Sequence, residues 1–532
     1  MEKIISGILP HVQVPSRYTG KEINAYHRTE ERVSFALAYP DIYEIGMSSL
    51  GVRIIYGLLN EMEGVSCERV FAPAADMESI LREREIPLFS LESGRPLTDF
   101  DILGFSLSSE LNYTNMLNML ELSSIPVFSR DRKDGCPLVI AGGNSIFNFA
   151  PLSPFVDLFI VGEGEEIIPE LVRFYEGMKG QGREKILSGL AGIEGTYVPA
   201  FPAPLVRKRF VRNFEESFFP ERWLVPLTEI VHDRVSLEIM RGCGQGCFFC
   251  QAGSCWKPVR TRSASRILDM ASRTYRNTGY EEISLLSFSS GDHPGIGEIV
   301  DGLLSMFRKK RVTISFPSVR IDTFSFELAS RLKEIKKTGL TFAPETGEKL
   351  RFSIGKRIKD SELVELALKA RESGWKQIKL YFMVGLPGET EEDILDSARL
   401  INELSRIISI KASFNTFVPK PHSRFERERF ISQEEYTHRK NIIVSKVRNS
   451  RFTRLTFHSY EMSRVEAFLG RGDEKLSDVI LDVRKRGGRM ENWDEFFNYG
   501  LWEQSFLERG LPSSGYLDRL GQESLPWDKI KV

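Results

Sequence analysis

Two successive series of alternating strand and helix patterns constrain the fold of this chain most strongly. Strand-like apolar runs of the first series lie at 33–40, 101–107, 137–143 and 157–165. Strands that alternate with helices are typical of a parallel sheet with helices packed on its faces. The first series therefore predicts a Rossmann-like α/β domain over residues 31–177, preceded by a leader at 1–30.

The second series predicts a partial barrel. Its strand-like runs lie at 234–242, 281–288, 311–318, 339–345, 376–385 and 409–418. Helical patterns fill the gaps, and those at 326–339 and 360–374 end on a glycine placed like a helix C-cap. We expect a (β/α)6 barrel over 234–430, with its chemistry at the carboxyl ends of the strands. A proline-rich linker at 178–233, irregular with room for one hairpin, and a C-terminal region at 431–532 complete the predicted domains.

Three cysteines follow the first barrel strand in a glycine-rich turn, as Cys243, Cys247 and Cys250 with C-x3-C-x2-C spacing. Three thiolates on one loop can hold three irons of a cubane cluster and leave the fourth iron open. An open coordination position lets a substrate reach the metal. The alternative is a zinc site with Cys255 as fourth ligand, but zinc ligands usually come in C-x2-C pairs, so Cys255 is expected to be a bystander.

Composition limits the classes of function. Six cysteines among 532 residues are too few for a disulfide scaffold, and Cys67 and Cys136 stand alone, as small buried apolar residues do. The formal net charge of -1 provides no overall basic field for nucleic acid or an anionic membrane. Neither a membrane-spanning apolar run nor a signal peptide is recognisable. The sequence predicts a cytoplasmic protein with no membrane partner.

The cysteine spacing, with Phe249 just before the last cysteine, resembles the signature of the radical S-adenosylmethionine (SAM) superfamily. The resemblance covers about residues 234–430. It implies a [4Fe–4S] cluster on Cys243, Cys247 and Cys250, whose open iron chelates SAM, and one-electron cleavage of SAM to a 5′-deoxyadenosyl radical. It also implies a substrate that the residues do not identify, a small molecule or RNA, and an electron donor such as flavodoxin or ferredoxin.

The resemblance extends to two acidic positions in the barrel. Ser290, Gly291 and Asp292 follow the second strand, where the superfamily has a glycine-rich acidic turn that holds the amino group of SAM. The alternative is an ordinary turn in which Asp292 caps a helix. At the end of the fourth strand, Glu345 resembles the glutamate that faces SAM in the methylthiotransferase and cobalamin-linked branches.

A turn after the fifth strand resembles the adenine-side turn of the same branches, which implies cofactor contacts from Gly385, Pro387, Gly388 and Glu389. Taken alone, this segment is a strand, a turn and an N-capped helix. Three basic residues of the barrel are candidates to meet a carboxylate, although such residues are more often solvated surface: Lys379, Arg320 and Arg351.

The N-terminal domain resembles cobalamin-binding domains. Residues 41–46 resemble their D-x-H-x-x-G motif with Tyr43 in place of the histidine, and 106–108 and 141–144 match their serine and glycine segments. Without an imidazole, a bound cobalamin would have no histidine ligand from this loop. Two interpretations follow: the domain binds cobalamin in this form, or it has lost the cofactor and serves as a lid or substrate platform. The acids of 162–166 are expected to favour a helix N-terminus.

These features favour radical SAM catalysis on an unidentified substrate, with cobalamin-dependent methylation as its most specific version. Cobalamin-free oxidation or rearrangement is the alternative within the class. Methylthiolation is disfavoured, because only Cys67 and Cys136 are available for a second cluster. An alternative of another class is a non-catalytic Fe–S protein that binds RNA or assists assembly, for which the basic runs 207–209 and 484–486 are the only support.

Overall fold

The first predicted series forms one sheet. A computed structural model describes residues 1–28, 30–315, 339–448, 451–522 and 524–532. The sheet has the order β2-β1-β3-β4-β5-β6 and is parallel except for β6, which runs antiparallel to β5. Its strands are β1 Val33–Tyr39, β2 Val65–Phe71, β3 Ile102–Ser106, β4 Leu138–Gly142, β5 Leu158–Ile160 and β6 Thr196–Tyr197. The predicted α/β class is confirmed.

Strand β2 escaped prediction because charged residues interrupt its apolar pattern. Arg69 is fully buried in this edge strand, and its guanidinium forms ion pairs with Glu22 at 2.8 Å and Glu92 at 2.6 Å. The neighbouring Glu68 accepts hydrogen bonds from the hydroxyl of Ser90 at 2.6 Å. The residues that pair with Arg69 and Glu68 are distant in sequence and meet them only in the folded structure. A search for local apolar periodicity therefore cannot detect them.

The second series forms two parallel sheets in barrel order, β12-β11-β8 and β13-β14-β15-β16. The seventh of these strands, β16, was not predicted, because its sequence TRLTF mixes polar and apolar residues. Three predicted features lie outside the described residues: 316–318 of the predicted strand, 326–338 of the predicted helix, and Arg320. The strands are β8 Val235–Glu238, β11 Glu282–Leu286, β12 Thr313–Ser315, β13 Leu340–Glu345, β14 Gln377–Val384, β15 Ser409–Thr416 and β16 Thr453–Phe457.

Helices cover both units. In the described ranges, none of them is both long and apolar enough to cross a membrane. Those of the first half are Glu2–Ile8, Tyr43–Gly46, Leu50–Glu61, Ala75–Glu83, Tyr113–Leu122, Gly164–Met178, Arg183–Leu190, Ala252–Cys255 and Ala264–Thr278. Those that follow are Ile296–Phe307, Glu348–Ser353, Asp360–Glu372, Glu391–Ser405, Gln433–Lys446, Tyr460–Gly470, Leu476–Lys485, Tyr499–Glu508 and Ser514–Leu517.

The segment predicted as a linker is irregular only in part. Helix Arg183–Leu190 and strand β6 extend the first unit, so ordered structure continues well beyond residue 177. Further on, β7 (Val206–Arg207) pairs in parallel with β17 (Ile530–Lys531) from the end of the chain. A two-stranded antiparallel pair, β9 (Met240–Arg241) with β10 (Arg260–Thr261), brackets the cysteine loop.

The C-terminal region packs against the first unit. The backbone N–H of Met490 donates to the Asn115 side chain at 2.7 Å, and the indole of Trp493 donates to Asp41 at 3.0 Å. Trp502 is fully buried in the core that these regions share. The last hundred residues therefore tie the first sheet to the barrel.

A buried carboxyl in this region predicts a pH-dependent stability. Burial raises the pKa of Glu491 to about 7 from 4.5, and its partner, the Trp502 indole at 3.0 Å, offsets this only in part. Between pH 4.5 and 7 the folded protein holds this proton while the unfolded chain releases it, so stability falls as pH rises through that window.

We expect Glu491→Gln to increase the free energy of unfolding above pH 7, by about 3 kcal/mol for a shift of this size, and to change little below pH 4.5. Urea unfolding at both pH values measures this. The exposed Glu495→Gln is the control. Equal effects of Glu491→Gln at the two pH values would contradict the assignment.

Candidate active site

The cysteine loop leaves β9 through glycines that adopt left-handed backbone conformations. Gly242 has φ 89°, and a Cβ there would lie 2.6 Å from the Trp256 carbonyl oxygen. Gly246 has φ 66° and open space around it. Between and after them lie Cys243, Cys247 and Cys250, all free thiols of intermediate exposure. Glycine allows both turns without the strain that a side chain would bring.

Two later segments of the barrel hold this loop. The backbone N–H of Phe248 donates to the Ile354 carbonyl at 3.0 Å, and the Phe425 N–H donates to the Phe248 carbonyl at 3.3 Å. The Arg424 guanidinium lies 4.4 Å above the Phe248 ring. Hydrogen bonds and a cation–π contact therefore fix the loop between the chain after β13 and the chain after β15.

The local electrostatics differ among the thiols. Burial raises the pKa of Cys247, and the nearby Lys356 lowers it. Burial also raises the pKa of Cys250, against backbone hydrogen bonds from Ala252 and Gly253 that favour its thiolate. N–H groups aimed at the sulfur and a neighbouring cation fit the charge of an iron–sulfur cluster held by thiolates.

Cys255 belongs to the hydrophobic core, as expected of a bystander. It is 1% exposed, and burial raises the pKa of its thiol to about 12. In the described part of the chain, no three Cys, His, Asp or Glu side chains are grouped as ligands of a single metal ion. Cubane ligands bind separate irons and need not converge on one point.

The turn after β11 contacts the cysteine loop. Asp292 accepts a hydrogen bond at 2.7 Å from the side chain of Gln245, which lies between the first two cysteines. Ser290 is fully buried, and its hydroxyl donates to the Leu285 carbonyl at 3.1 Å. Gly291 lies between them in a short 3-10 turn. Asp292 therefore contacts the cysteine loop, while Ser290 stabilises the turn.

Glu345, at the end of β13, lies near the second and third cysteines of the loop. It has φ 71°, and the register of β13 against β14 shifts between Phe342 and Glu345. Its carboxylate forms a 2.6 Å ion pair with Lys356. Its negative charge contributes to the raised pKa of the Cys247 and Cys250 thiols. A left-handed glutamate costs about 1–3 kcal/mol, and such strain concentrates at functional sites.

Arg351 has a structural role. It is fully buried, and its guanidinium donates to the carbonyls of Pro344 and Thr346 at 2.8 and 2.7 Å and to Asp360 at 2.8 Å. These bonds pin the strained turn at Glu345. Arg351 is therefore not solvated surface, and the carboxylate that it meets is the protein's own Asp360.

The turn after β14 is held by its own glutamate. The Glu389 carboxylate accepts hydrogen bonds from the Gly385 N–H at 2.8 Å and from Arg439 at 2.7 Å. Burial raises the pKa of Glu389 to about 7 despite Arg439. Gly385 and Gly388 have φ 95° and 75° on either side of Leu386 and Pro387. These contacts assign Glu389 to holding the turn.

An apolar cluster joins this turn to the cysteine loop. Leu386 packs with Leu350, Ile354 and Phe417, and Phe249 from the cysteine loop packs against this cluster. The sequence predicted four parts of this site separately: Phe249, Asp292, Glu345 and the turn at Gly385. In the described structure, the last three lie around the cysteine loop, which carries Phe249. Gln245 and Lys356, which connect them, carry no sequence signal of their own.

A large cleft separates the first sheet from the barrel. Its cavity volume is about 380 Å³, and it opens to solvent. The first sheet contributes its strand ends, such as Gly104, Ser106 and Gly142, and the barrel contributes Glu238 and Phe288. The predicted serine and glycine segments thus line one wall of a mostly apolar cleft.

Tyr43 lies outside this cleft. Its hydroxyl donates to Glu22 at 2.8 Å, and its ring packs edge-on against Phe71 with centroids 5.4 Å apart. The glycines at the strand ends are also required by the fold, since a Cβ on Gly143 or Gly162 would lie 2.3 or 1.9 Å from a backbone oxygen. The mostly apolar walls are compatible with a cobalamin that has no histidine ligand, while the glycines alone do not demand one.

A buried ion-pair network connects the cleft to the cysteine loop. Arg241, directly before Gly242, binds Glu163 at 3.0 Å, Glu165 at 2.7 Å and Glu238 at 2.6 Å. Glu163 also binds Arg260 at 2.5 Å. The acids of 162–166 lie at the N-terminus of helix Gly164–Met178, as expected, and two of them, Glu163 and Glu165, also hold the root of the loop.

Two protein families match the chain. The family described as "Radical SAM proteins, N-terminal" matches residues 51–199, and "Radical SAM superfamily" matches residues 237–401. The second match contains the cysteine loop, Asp292, Glu345 and the turn at Gly385.

Three curated relatives match most or part of the chain in sequence. An uncharacterized protein of Methanocaldococcus jannaschii is 27% identical over 488 residues, which cover 89% of this chain and 98% of that protein. The anaerobic magnesium-protoporphyrin IX monomethyl ester cyclase of Cereibacter sphaeroides is 29% identical over 136 residues, or 25% of this chain and 22% of the cyclase. A tRNA-2-methylthio-N(6)-dimethylallyladenosine synthase of Acetivibrio thermocellus is 24% identical over 48% of this chain and 54% of the synthase.

Solved structures share the fold. One is the radical SAM methyltransferase TsrM of Kitasatospora setae with cobalamin and a [4Fe-4S] cluster bound, which matches with a TM-score of 0.56 at 12% identity. The match covers 90% of this chain and 100% of the TsrM chain. The same enzyme with tryptophan and a SAM analogue has a TM-score of 0.54 at 13% identity, over 90% of this chain and 99% of its own. At this identity, the likeness describes the arrangement of the two units alone.

Proposed function

The chain belongs to the radical SAM superfamily, and from that premise we propose that Cys243, Cys247 and Cys250 hold a [4Fe–4S] cluster with which the protein cleaves SAM reductively. One observation carries the proposal. The loop with its three free thiols contacts Asp292 through Gln245, and Glu345, paired with Lys356, is near enough to raise the pKa of Cys247 and Cys250. A cationic, zwitterionic cofactor needs such acids beside the metal that binds it.

The protein's own residues position and enclose the cofactor. When bound, a cluster with one open iron supplies the electron and the coordination site for SAM. Glu345 and Asp292 offer acceptors for its ammonium and ribose groups, and the backbone from Gly385 to Gly388 offers an edge for the adenine. The apolar cluster around Phe249 and Leu386 excludes water from the site.

Electron paramagnetic resonance tests the proposal. We expect the anaerobically reconstituted, dithionite-reduced protein to give the signal of a reduced cluster, and its line shape to change on addition of SAM, because SAM becomes an iron ligand. An unchanged signal at saturating SAM, or a colourless folded protein loaded with zinc, would contradict it.

The most specific version is cobalamin-dependent methylation of an unidentified substrate. Its support is the cleft between the first sheet and the barrel, which is large, mostly apolar and adjacent to Arg241 at the root of the cysteine loop. Without cobalamin, the same site would perform hydrogen abstraction leading to oxidation or rearrangement, which is the alternative.

Hydroxocobalamin binding separates these two versions. Gly51 lines the cleft, and a Cβ there would meet only Ser49 Oγ, at 3.8 Å, so Gly51→Trp would fill the cleft without backbone strain. Gly177→Trp, also on an exposed helix face with open space but away from the cleft, is the matched control. We expect corrin absorbance to co-elute with the wild type and Gly177→Trp but not with Gly51→Trp. No corrin on the wild type would favour the cobalamin-free alternative.

The non-catalytic RNA-binding alternative loses its support. Lys208 donates to the carbonyls of Cys255 and Lys257, and Arg209 pairs with Glu170. In the second basic run, Arg484 pairs with Glu121 and Arg486 with Glu508. Four of the six cations in the two runs therefore stabilise the fold, and the exposed Arg207 and Lys485 alone do not make a continuous basic patch.

Compartment and electron supply complete the proposal. All six cysteines are free thiols, which suits a reducing compartment such as the cytoplasm. Reductive cleavage of SAM needs an external electron donor, for which flavodoxin or ferredoxin is the expected partner. Cys67 is 1% exposed inside the first sheet, which disfavours a second cluster for methylthiolation.

A further inference from the structure

Three cationic side chains form a row across neighbouring barrel strands. Lys379 of β14 is the register partner of Lys411 of β15, and Lys411 is the partner of Arg454 of β16. Neighbouring strands lie about 4.8 Å apart, so the three Cα atoms are close to one another in a line across the sheet.

The row lies on the inner face of the barrel. On β14 the alternate residues Ile378, Leu380 and Phe382 are buried against the helices that cover the outside. Side chains alternate between the two faces of a strand, so the row points the other way. Lys379 and Lys411 are half-buried, and Arg454 is exposed, which leaves the row open to a ligand from inside.

No carboxylate within the described residues forms an ion pair with any of the three. Lys379 donates a hydrogen bond to the hydroxyl of Tyr381, another residue of the inner face. Like charges directly opposite one another on paired strands are destabilising. A row of three therefore weakens the sheet unless a negatively charged group binds there.

A second row, of hydroxyl groups, lies one layer nearer the cysteine loop. Tyr381, Ser413 and Thr456 are register partners, and the hydroxyls of Ser413 and Thr456 are 2.8 Å apart. Hydroxyl groups donate hydrogen bonds to anionic oxygens, so the two rows together match a phosphate or a pair of carboxylates.

We infer that this double row binds the anionic end of the substrate. The inference rests on the proposed function and adds the substrate class: a small molecule that carries a phosphate or several carboxylates. Met383, beside the apolar cluster of the active site, lies four residues above Lys379 on the same face. At about 3.3 Å per residue, the anionic group binds about 13 Å below the level at which the substrate reacts.

Isothermal titration of the reconstituted holoenzyme with inorganic pyrophosphate, and separately with citrate, tests this. We expect one of the two anions to bind to the wild type, which distinguishes phosphate from carboxylate, and Lys411→Met or Arg454→Met to weaken binding about tenfold or more. Lys376→Met is the control, because Lys376 is exposed and lies just outside β14. Circular dichroism and iron content verify that each variant is folded and loaded.

The inference is overturned if neither anion binds to the wild type, or if Lys376→Met weakens binding as much as Lys411→Met. Formation of 5′-deoxyadenosine in the same wild-type preparation keeps the two claims apart. Cleavage of SAM without anion binding refutes the substrate class alone, whereas anion binding without cleavage refutes the proposed function.

Discussion

Cys247→Ala will yield a folded protein without its brown colour, and its production of 5′-deoxyadenosine from SAM will fall to the level of protein without iron. The middle cysteine of a three-thiolate set cannot be replaced from elsewhere, because Cys67 and Cys255 are each 1% exposed in cores. The wild type should bind about four irons per chain and Cys247→Ala close to none. Iron and sulfide analysis after anaerobic gel filtration measures this.

Cys255→Ala is the matched control, since Cys255 lies five residues beyond the last cysteine of the loop. It should keep the full iron content and activity, because its thiol packs in the shared core. Loss of iron in Cys255→Ala together with retention in Cys247→Ala would show that the ligands have been assigned wrongly.

Arg241→Met is expected to destabilise the protein by about 3–5 kcal/mol, because it leaves buried carboxylates without their cation. Arg241 is 6% exposed and binds Glu163, Glu165 and Glu238, and Arg260 compensates only the first. Since Gly242 and Cys243 follow directly, iron content should fall as well. Urea unfolding monitored by circular dichroism gives the stability change from the shift in midpoint.

Two further variants make this test specific. Arg509→Met breaks a more exposed pair with Asp482 and should change stability by less than about 1 kcal/mol. The double change Arg241→Met with Glu165→Gln should recover part of the loss, because it removes one of the stranded charges. A wild-type midpoint for Arg241→Met would refute the role given to this network.

Local pattern was sufficient for the strands whose apolar residues run unbroken, such as β1, β3 and β4. It failed at β2 and β16, where charged or hydroxyl side chains interrupt the run. Arg69 is tolerated in β2 only because Glu22 and Glu92 meet it there. Such partners are brought together by the fold, so no window of sequence contains the information.

The candidate site shows the same limit. Asp292 and Glu345 were selected by the resemblance to the superfamily and by their positions after strands, where barrel chemistry gathers. Sequence position does not reveal where a side chain points. The Glu389 side chain points back toward its own turn and accepts a hydrogen bond from the N–H of Gly385. The Arg351 guanidinium donates to the backbone carbonyls of Pro344 and Thr346.

The central claim is that the cysteine loop, Asp292 and Glu345 form one site for a cluster and SAM. Its most direct test is the formation of 5′-deoxyadenosine by the intact, anaerobically reconstituted protein after addition of SAM and dithionite. We predict that this product accumulates with the wild type and requires both iron and the reductant. A protein that holds its full complement of cluster and yet forms none would contradict the account.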